Sequence, residues 1–351
     1  MASITNIQTI KAPFEHKQND IINFMQQYYQ FDEIELRKVK WVYRKSGIVT
    51  RYSVLPDFTA NKKPLLFSNG KNEVEISERL NVYNHEAFKL SKSLIEQFEN
   101  LKNVTHLITI SCTGIAAPGL ELRLLQWLGQ EIAQRAINFM GCYAAIHGMK
   151  QAQEICSLHP DAKVLLIDIE LCTLHFQYST KPDLVNSAMI FGDGAAAWIV
   201  EANQKQGLEI IGTFNKVLHT ENDKMAWYPT ETGFLMKLSS YIPDIIGDNI
   251  KSLITDALDY YKVKNINDVT LCVHPGGLKI LDKIITAMGI EKDKLLSSYE
   301  ILSEYGNMSS PTVVYVLQRM MATNRIAKGD KVLMIAFGPG LSIETCLLRF
   351  N

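Results

Sequence analysis

Three side-chain types in this chain could share one reaction: a thiol, an imidazole and a carboxamide. The cysteines are Cys112, Cys142, Cys156, Cys172, Cys272 and Cys346. A buried cysteine is ordinarily a small apolar filler. Cys156 falls on the apolar face of a helical pattern, and Cys172, Cys272 and Cys346 lie in or beside strand-like runs. Cys112 ends a strand-like run ahead of the turn TGIAAPG, which leaves its role open. Cys142 differs. It follows Gly141 at the head of a helical pattern whose apolar positions are Ala145, Ile146, Met149, Ala152 and Cys156. A thiol there meets unpaired N–H groups and the positive end of a helix dipole, both of which favour thiolate. Small neighbours, Gly141, Ala144 and Ala145, permit close backbone approach.

His274 ends the run VTLCVH and precedes Pro275-Gly276-Gly277. A polar ring at the end of a buried strand, on a tight loop, is well placed for chemistry; a satisfied structural histidine is the competing reading. Asn307 lies in SEYGNMSSP, a turn ahead of a helical pattern, where a turn or capping role competes. The three make sense as a set. A thiolate needs a basic or cationic partner, acyl chemistry needs donors aimed at a developing oxyanion, and histidine and asparagine both donate.

Other motifs lead away from cofactors. The cysteines form no CxxC, and the eight histidines form no HExxH or HxxxH pair, so neither a zinc site nor a disulfide framework is expected, which suits a reducing cytoplasm. Gly192-Asp-Gly194-Ala-Ala-Ala197 has the spacing of a dinucleotide fingerprint, but a strand-like run follows it where a helix N-terminus is needed. Gly338-Pro-Gly340 likewise leads into a strand-like run. Both read as tight turns.

The elements that must position these residues alternate. Strand-like runs span Val104–Cys112, Lys163–Leu171, Ala195–Glu201, Leu208–Leu218, Val269–His274, Lys331–Phe337 and Ser342–Phe350. Helical patterns lie near His16–Tyr29, Asn84–Asn100, Leu120–Trp127, Cys142–Leu158, Tyr241–Tyr261, Gly277–Met288 and Pro311–Asn324. This order predicts α/β layers. The polar stretch Glu201–Gly207 marks a boundary between residues 1–201 and 202–351, and FGDGAAAWIV loosely mirrors AFGPGLSIETCLL across it. With 351 residues, 36 basic against 37 acidic and 47% apolar, the chain is an ordinary globular one with no general reason to bind nucleic acid or an anionic membrane. The N-terminus lacks a signal-peptide pattern and no apolar run reaches membrane-spanning length. The basic stretch Arg37–Arg51 reads either as a solvated helix and loop or as a patch for an anionic ligand.

The stretches CTGIAAPG (Cys112–Gly119), GCYAA (Gly141–Ala145), FGDGAA (Phe191–Ala196), HPGG (His274–Gly277), SEYGNMSS (Ser303–Ser310) and FGPGLSIET (Phe337–Thr345) resemble the type III polyketide synthases, the chalcone synthase-like branch of the thiolase superfamily. The resemblance keeps the family's order and covers most of the chain from Val104 onward. It implies a duplicated αβαβα thiolase-like fold of two pseudo-equivalent halves, a homodimer, and acyl-CoA and malonyl-CoA as substrates, with no metal or redox cofactor. It places the nucleophile on Cys142, its partners on His274 and Asn307, a gatekeeper on Phe191, and coenzyme A contacts on Lys38 and Lys45, with Trp41 where a third basic contact is expected. It implies a cavity lined by Cys112, Thr113, Glu170, Cys172, Thr173, Ser187, Trp227, Met236 and Ser309. Ala117 replaces a bulky interface residue of plant members, Glu170 and Trp227 depart from their small residues, and the chain lacks their longer N-terminal region; these differences point to a microbial member. The nearest alternatives are an initiating ketoacyl-carrier-protein synthase, which usually has His-Gln-Ala-Asn where this chain has HPGG, and a non-catalytic acyl-binding subunit, whose signature would be loss of the nucleophile.

Overall fold

The near-continuous apolar runs become central strands, as burial on both faces requires. The computed structural model describes every residue except 30, 60–61, 68–73, 178–180 and 220–223. In chain order the elements are β1 (Ala2–Lys11), β2 (Phe14–Lys17), α1 (Gln18–Tyr29), α2 (Glu33–Arg44), β3 (Thr50–Ser53), α3 (Ile76–Ile95), β4 (His106–Ser111), α4 (Leu120–Leu128), β5 (Ala133–Asn138), α5 (Ala144–Leu158), β6 (Lys163–Leu171), α6 (Pro182–Ile190), β7 (Asp193–Ala202), β8 (Leu208–Val217), β9 (Met225–Thr230), β10 (Gly233–Leu238), α7 (Ile242–Tyr260), β11 (Thr270–Val273), α8 (Leu278–Met288), α9 (Leu296–Tyr305), α10 (Pro311–Ala322), β12 (Lys331–Gly338) and β13 (Ser342–Phe350).

Among the described residues, nine strands form one mixed sheet in the order β11-β12-β13-β8-β1-β7-β6-β4-β5. The order repeats. β1 pairs antiparallel with β7, β7 antiparallel with β6, and β6 parallel with β4. β8 pairs antiparallel with β13, β13 antiparallel with β12, and β12 parallel with β11. The two runs meet through a short β1–β8 ladder at Ser3 and Ile4; the connection from β7 to β8 is residues 203–207, the end of the predicted boundary stretch Glu201–Gly207, whose first two residues still belong to β7.

Period-two alternation sorts each strand between two cores. Val164 and Leu166 of β6 join Val332 and Met334 of β12 around α5 and α10, while Leu165 and Ile167 join Leu333 and Ile335 under α3, α7 and α8. Helices thus lie inside and outside the strands, which makes the αβαβα layering. Each fully buried Leu, Ile or Val stabilises the fold by roughly 1.5–3 kcal/mol, so the strand ends are rigid platforms.

Several elements lack the pattern that reveals the others. β1 is polar for half its length, yet it lies inside the sheet and pairs with residues about two hundred positions away. β5 is the sheet's edge and mostly exposed, so it has no apolar run to read. Residues Tyr228–Gly233, which no strand-like run marks in the sequence, belong to a β9–β10 hairpin that turns at Glu231–Thr232. The predicted helix at Asn84–Asn100 begins earlier, at Ile76, behind a Glu75/Glu78 capping box.

Candidate active site

Cys142, His274 and Asn307 are about 130 and 30 residues apart in sequence and line a single inner pocket. Cys142 and His274 follow strands β5 and β11, and Asn307 stands in the turn between α9 and α10, bridged to Phe191. Cys142 lies in the turn after β5, two residues ahead of α5, whose first helical residue is Ala144 rather than Cys142. Gly141 has φ +83° and a Cβ there would collide with the Pro339 ring, so only glycine fits between the nucleophile turn and Gly338-Pro-Gly340. His274 follows β11 and is fixed by its backbone N–H donating to Ile335 O at 2.8 Å.

Asn307 is set by its own turn. Its N–H donates to Ile190 O and its carbonyl accepts from Gly192 N, both at 2.9 Å, beside Phe191. Its Oδ1 accepts from Ser309 N at 2.8 Å, which commits the Nδ2 donors to the other side, toward Gly276 O at 3.4 Å and the Cys142 sulfur. Ser309 sits at φ +59°, an uncommon conformation for serine, and its hydroxyl also reaches the Cys142 sulfur. Gly306, at φ +70°, lets the chain pass where a Cβ would lie 2.8 Å from Ile190 O.

The electrostatics correct one expectation. Burial pushes the Cys142 thiol up to about 12, with the Glu170 charge adding to it, against the hydrogen bonds of Ser309 and Asn307. Burial pushes the His274 ring down to about 3, and both buried ring nitrogens find no partner among the described residues. The pocket without substrate therefore holds a neutral thiol and a neutral imidazole. The helix-dipole argument for a standing thiolate is outweighed by desolvation.

Phe191 and six of the nine expected cavity residues line the inner pocket with the three: Cys112, Thr113, Cys172, Trp227, Met236 and Ser309. Thr173 and Ser187 line an adjoining small cavity that shares Cys172, Phe191, Trp227 and Met236 with it. Thr173 is held there by Asp193 and Ser53. Glu170 lines neither. It is fully buried behind Cys112 and Thr113, whose N–H and hydroxyl donate to it. Trp227 and Met236 are cross-strand partners in the β9–β10 hairpin. The Trp227 indole N–H donates to Cys112 O at 2.8 Å and the ring packs edge-on to His175 and Phe234. Met225, Leu238, Ile280 and Phe337 complete the wall; an isolated apolar side chain has no motif that would mark it in the sequence. Arg51 Nη1 donates to Ala188 O at 2.7 Å and Phe191 O at 2.5 Å, which fixes the backbone around Phe191.

Lys38, Trp41 and Lys45 lie three and four residues apart on one side of α2, all exposed. They line an outer cleft of about 770 Å³ together with Arg37 and Lys279. The inner pocket is about 30 Å³. The two share Leu238, Gly276 and Ile280, so the cleft adjoins the pocket that holds Cys142.

Residues 8–204 match the family described as "Chalcone and stilbene synthases, N-terminal domain", and residues 209–350 its C-terminal domain. Type III polyketide synthase A of Arabidopsis thaliana is 31% identical over 355 residues, covering 95% of this chain and 88% of that protein. Polyketide synthase 37 of Dictyostelium discoideum is 28% identical over 365 residues, 99% of this chain. The chain spans only 10–12% of the length of the Dictyostelium relatives it matches. The crystal structure of PKS-I from the brown alga Ectocarpus siliculosus superposes with a TM-score of 0.93 at 25% identity, covering 100% of this chain and 98% of that one. The fold is thiolase-like, and the chain belongs to the chalcone and stilbene synthase family of type III polyketide synthases.

Proposed function

We propose that this chain catalyses iterated decarboxylative condensation of malonyl-CoA onto an acyl starter held on Cys142, giving a pyrone or phenolic product. The observation that carries it is the convergence of Cys142, His274 and Asn307 on one small apolar pocket adjoining a basic cleft. Cys142 gives its proton to His274 as sulfur attacks the starter thioester. The imidazolium returns that proton to the departing coenzyme A thiolate. Malonyl-CoA then loses carbon dioxide, and the electron pair passes into the thioester enolate. His274 N–H and Asn307 Nδ2–H donate to the enolate oxygen; a neutral imidazole, as burial enforces here, is suited to that task. The enolate carbon attacks the Cys142 thioester and expels the thiolate, leaving a coenzyme A thioester two carbons longer. Phe191 supplies an apolar wall that favours loss of the carboxylate. Lys38 and Lys45 hold coenzyme A phosphates, and coenzyme A enters only as part of the substrates.

We read residues 1–201 and 202–351 as the two halves, supported by the repeated strand order. The first carries Cys142 and the second His274 and Asn307. A homodimer is proposed, supported by the unpaired outer edge of β5 and the exposed Ile115 and Leu122 nearby. Among the described residues no helix is long and apolar enough to cross a membrane, and the six cysteines are free, in keeping with a reducing cytoplasm as the proposed location.

The test is radiolabelled malonyl-CoA with a panel of acyl-CoA starters and no carrier protein. Labelled pyrones or phenols are expected. Label incorporated only when an acyl carrier protein is added would replace this reading with the ketoacyl synthase one.

A further inference from the structure

β6 carries two acids that the steps above leave unused. Asp168 and Glu170 continue the face of Val164 and Leu166, toward the α5–α10 layer, and both are fully buried. Asp168 is flanked in the sheet by Ile110 of β4 and Ala196 of β7. Among the described residues no cation pairs with it. Two neighbouring carboxylates without a cation cannot both stay ionised in such a place.

Hydrogen bonds decide which one keeps a proton. Both Glu170 oxygens accept from Cys112 N at 3.0 Å, and Oε2 accepts from Thr113 Oγ1 at 2.7 Å. Asp168 Oδ1 accepts from Ser310 Oγ at 2.6 Å, and Oδ2 has no partner among the described residues. A carboxylate with an orphaned oxygen is far costlier to bury than a carboxylic acid. We propose that Asp168 works as a neutral carboxylic acid, which leaves Glu170 the sole anion of the pair and makes it the positioning residue for the Cys112–Thr113 turn beside Cys142.

Glu170 reaches the nucleophile along two routes. Cys112 Sγ accepts from the N–H of Gly141, the residue before Cys142, at 2.9 Å. Ser310, whose hydroxyl lies 3.4 Å from Glu170 Oε1, follows Ser309, whose hydroxyl reaches the Cys142 sulfur. Burial and then the Glu170 charge hold Asp168 well above the ordinary carboxyl range. Burial pushes Glu170 up to about 7 against the hydrogen bonds of Thr113 and Cys112. The other titratable groups facing the pair are Tyr83 from α3, and Cys112, Cys142 and Cys172 from the turns around it, all pushed upward and so neutral at pH 7.

The test compares wild type with Asp168→Asn and Glu170→Gln, each checked for folding by its melting curve. Infrared difference spectra of wild type against Asp168→Asn at pH 7 should show an exchangeable carboxylic-acid C=O band belonging to Asp168. Asp168→Asn, an uncharged isostere, should keep kcat within about 3-fold. Glu170→Gln should lower kcat by roughly 10- to 100-fold, because an amide turns a charge-assisted acceptor into a weak one. The wild-type loss of activity as pH falls through about 7 should persist in Asp168→Asn and vanish in Glu170→Gln. Absence of the band, an Asp168→Asn loss as deep as that of Glu170→Gln, or a Glu170→Gln enzyme of wild-type rate and pH profile overturns the proposal. The activity readouts rest on the proposed Cys142 chemistry and the infrared readout does not. A wild type that shows the band but never condenses malonyl-CoA would sink the function and leave the neutral Asp168 standing.

Discussion

The inner pocket and the outer cleft are built from opposite materials. The pocket of about 30 Å³ is closed by Trp227, Met236, Phe191 and other apolar side chains, and its ionisable groups are pushed to their neutral forms. The cleft of about 770 Å³ is edged by exposed, charged Arg37, Lys38, Lys45 and Lys279. The contrast fits the roles proposed for each. A developing oxyanion is stabilised most where water is excluded and donors are already aimed. A polyphosphate is held well enough by flexible cations in water, where each contact is worth little alone. A pocket with room for one or two waters also means that an acyl chain must displace side chains as it grows, and the β9–β10 hairpin carries the bulkiest of them.

Substitutions in the pocket should therefore cost far more than those in the cleft, and four experiments can break or sharpen that division. The largest effect is expected from Cys142→Ala. Condensation should be abolished while malonyl-CoA decarboxylation remains measurable, and peptide mapping of wild type after incubation with a starter thioester should find the acyl group on Cys142. An adduct on Cys112 or Cys172 instead would move the nucleophile.

Next comes Asn307→Ala. Loss of one oxyanion donor should slow decarboxylation by roughly 10²-fold, measured as released labelled carbon dioxide. A wild-type rate would remove Asn307 from the oxyanion site and leave it as a turn residue.

Trp227→Gly tests the wall. It removes a half-buried indole and its hydrogen bond to Cys112 O, so a stability loss of up to about 3 kcal/mol is expected. In a folded variant, products from long and aromatic starters should lengthen or change. An unchanged product profile would make Trp227 a packing residue only.

The smallest effect belongs to the cleft. Lys38→Ala and Lys45→Ala should each raise KM for coenzyme A thioesters by about 3- to 10-fold with kcat unchanged. A pantetheine thioester that lacks the nucleotide should be unaffected. Equal losses on both substrates would show that these lysines act on the fold rather than on phosphates.

Legibility divides along similar lines. The candidate residues stand in short turns, His274 after apolar β11, Cys142 after the polar edge β5 and Asn307 between α9 and α10, and the motifs around them are local signals. β6 and β13 run from Lys163 to Leu171 and Ser342 to Phe350, as their apolar patterns predict. β1 and β5 do not announce themselves, because β1 owes its place to distant pairing partners and β5 is a polar edge. Glu170 reads from the resemblance as a cavity residue; only the parity of β6 and the turn above it show that it faces inward and supports Cys112. Asp168 carries no sequence signal at all, since an acid two residues before another is usually a solvated pair.

From the sequence by itself came the α/β alternation, the boundary near Glu201–Gly207 and Cys142, His274 and Asn307 as candidates for acyl chemistry, while the αβαβα layering came from the family resemblance and the strand order only from the fold. The first three rest on hydrophobic periodicity and on short motifs, which depend on neighbours within a few residues. The tertiary structure decided what those residues are before substrate arrives. Burial depends on every layer packed around a group, so only the folded chain makes the thiol and imidazole neutral, the pocket small, and two adjacent acids on β6 unable to carry two charges.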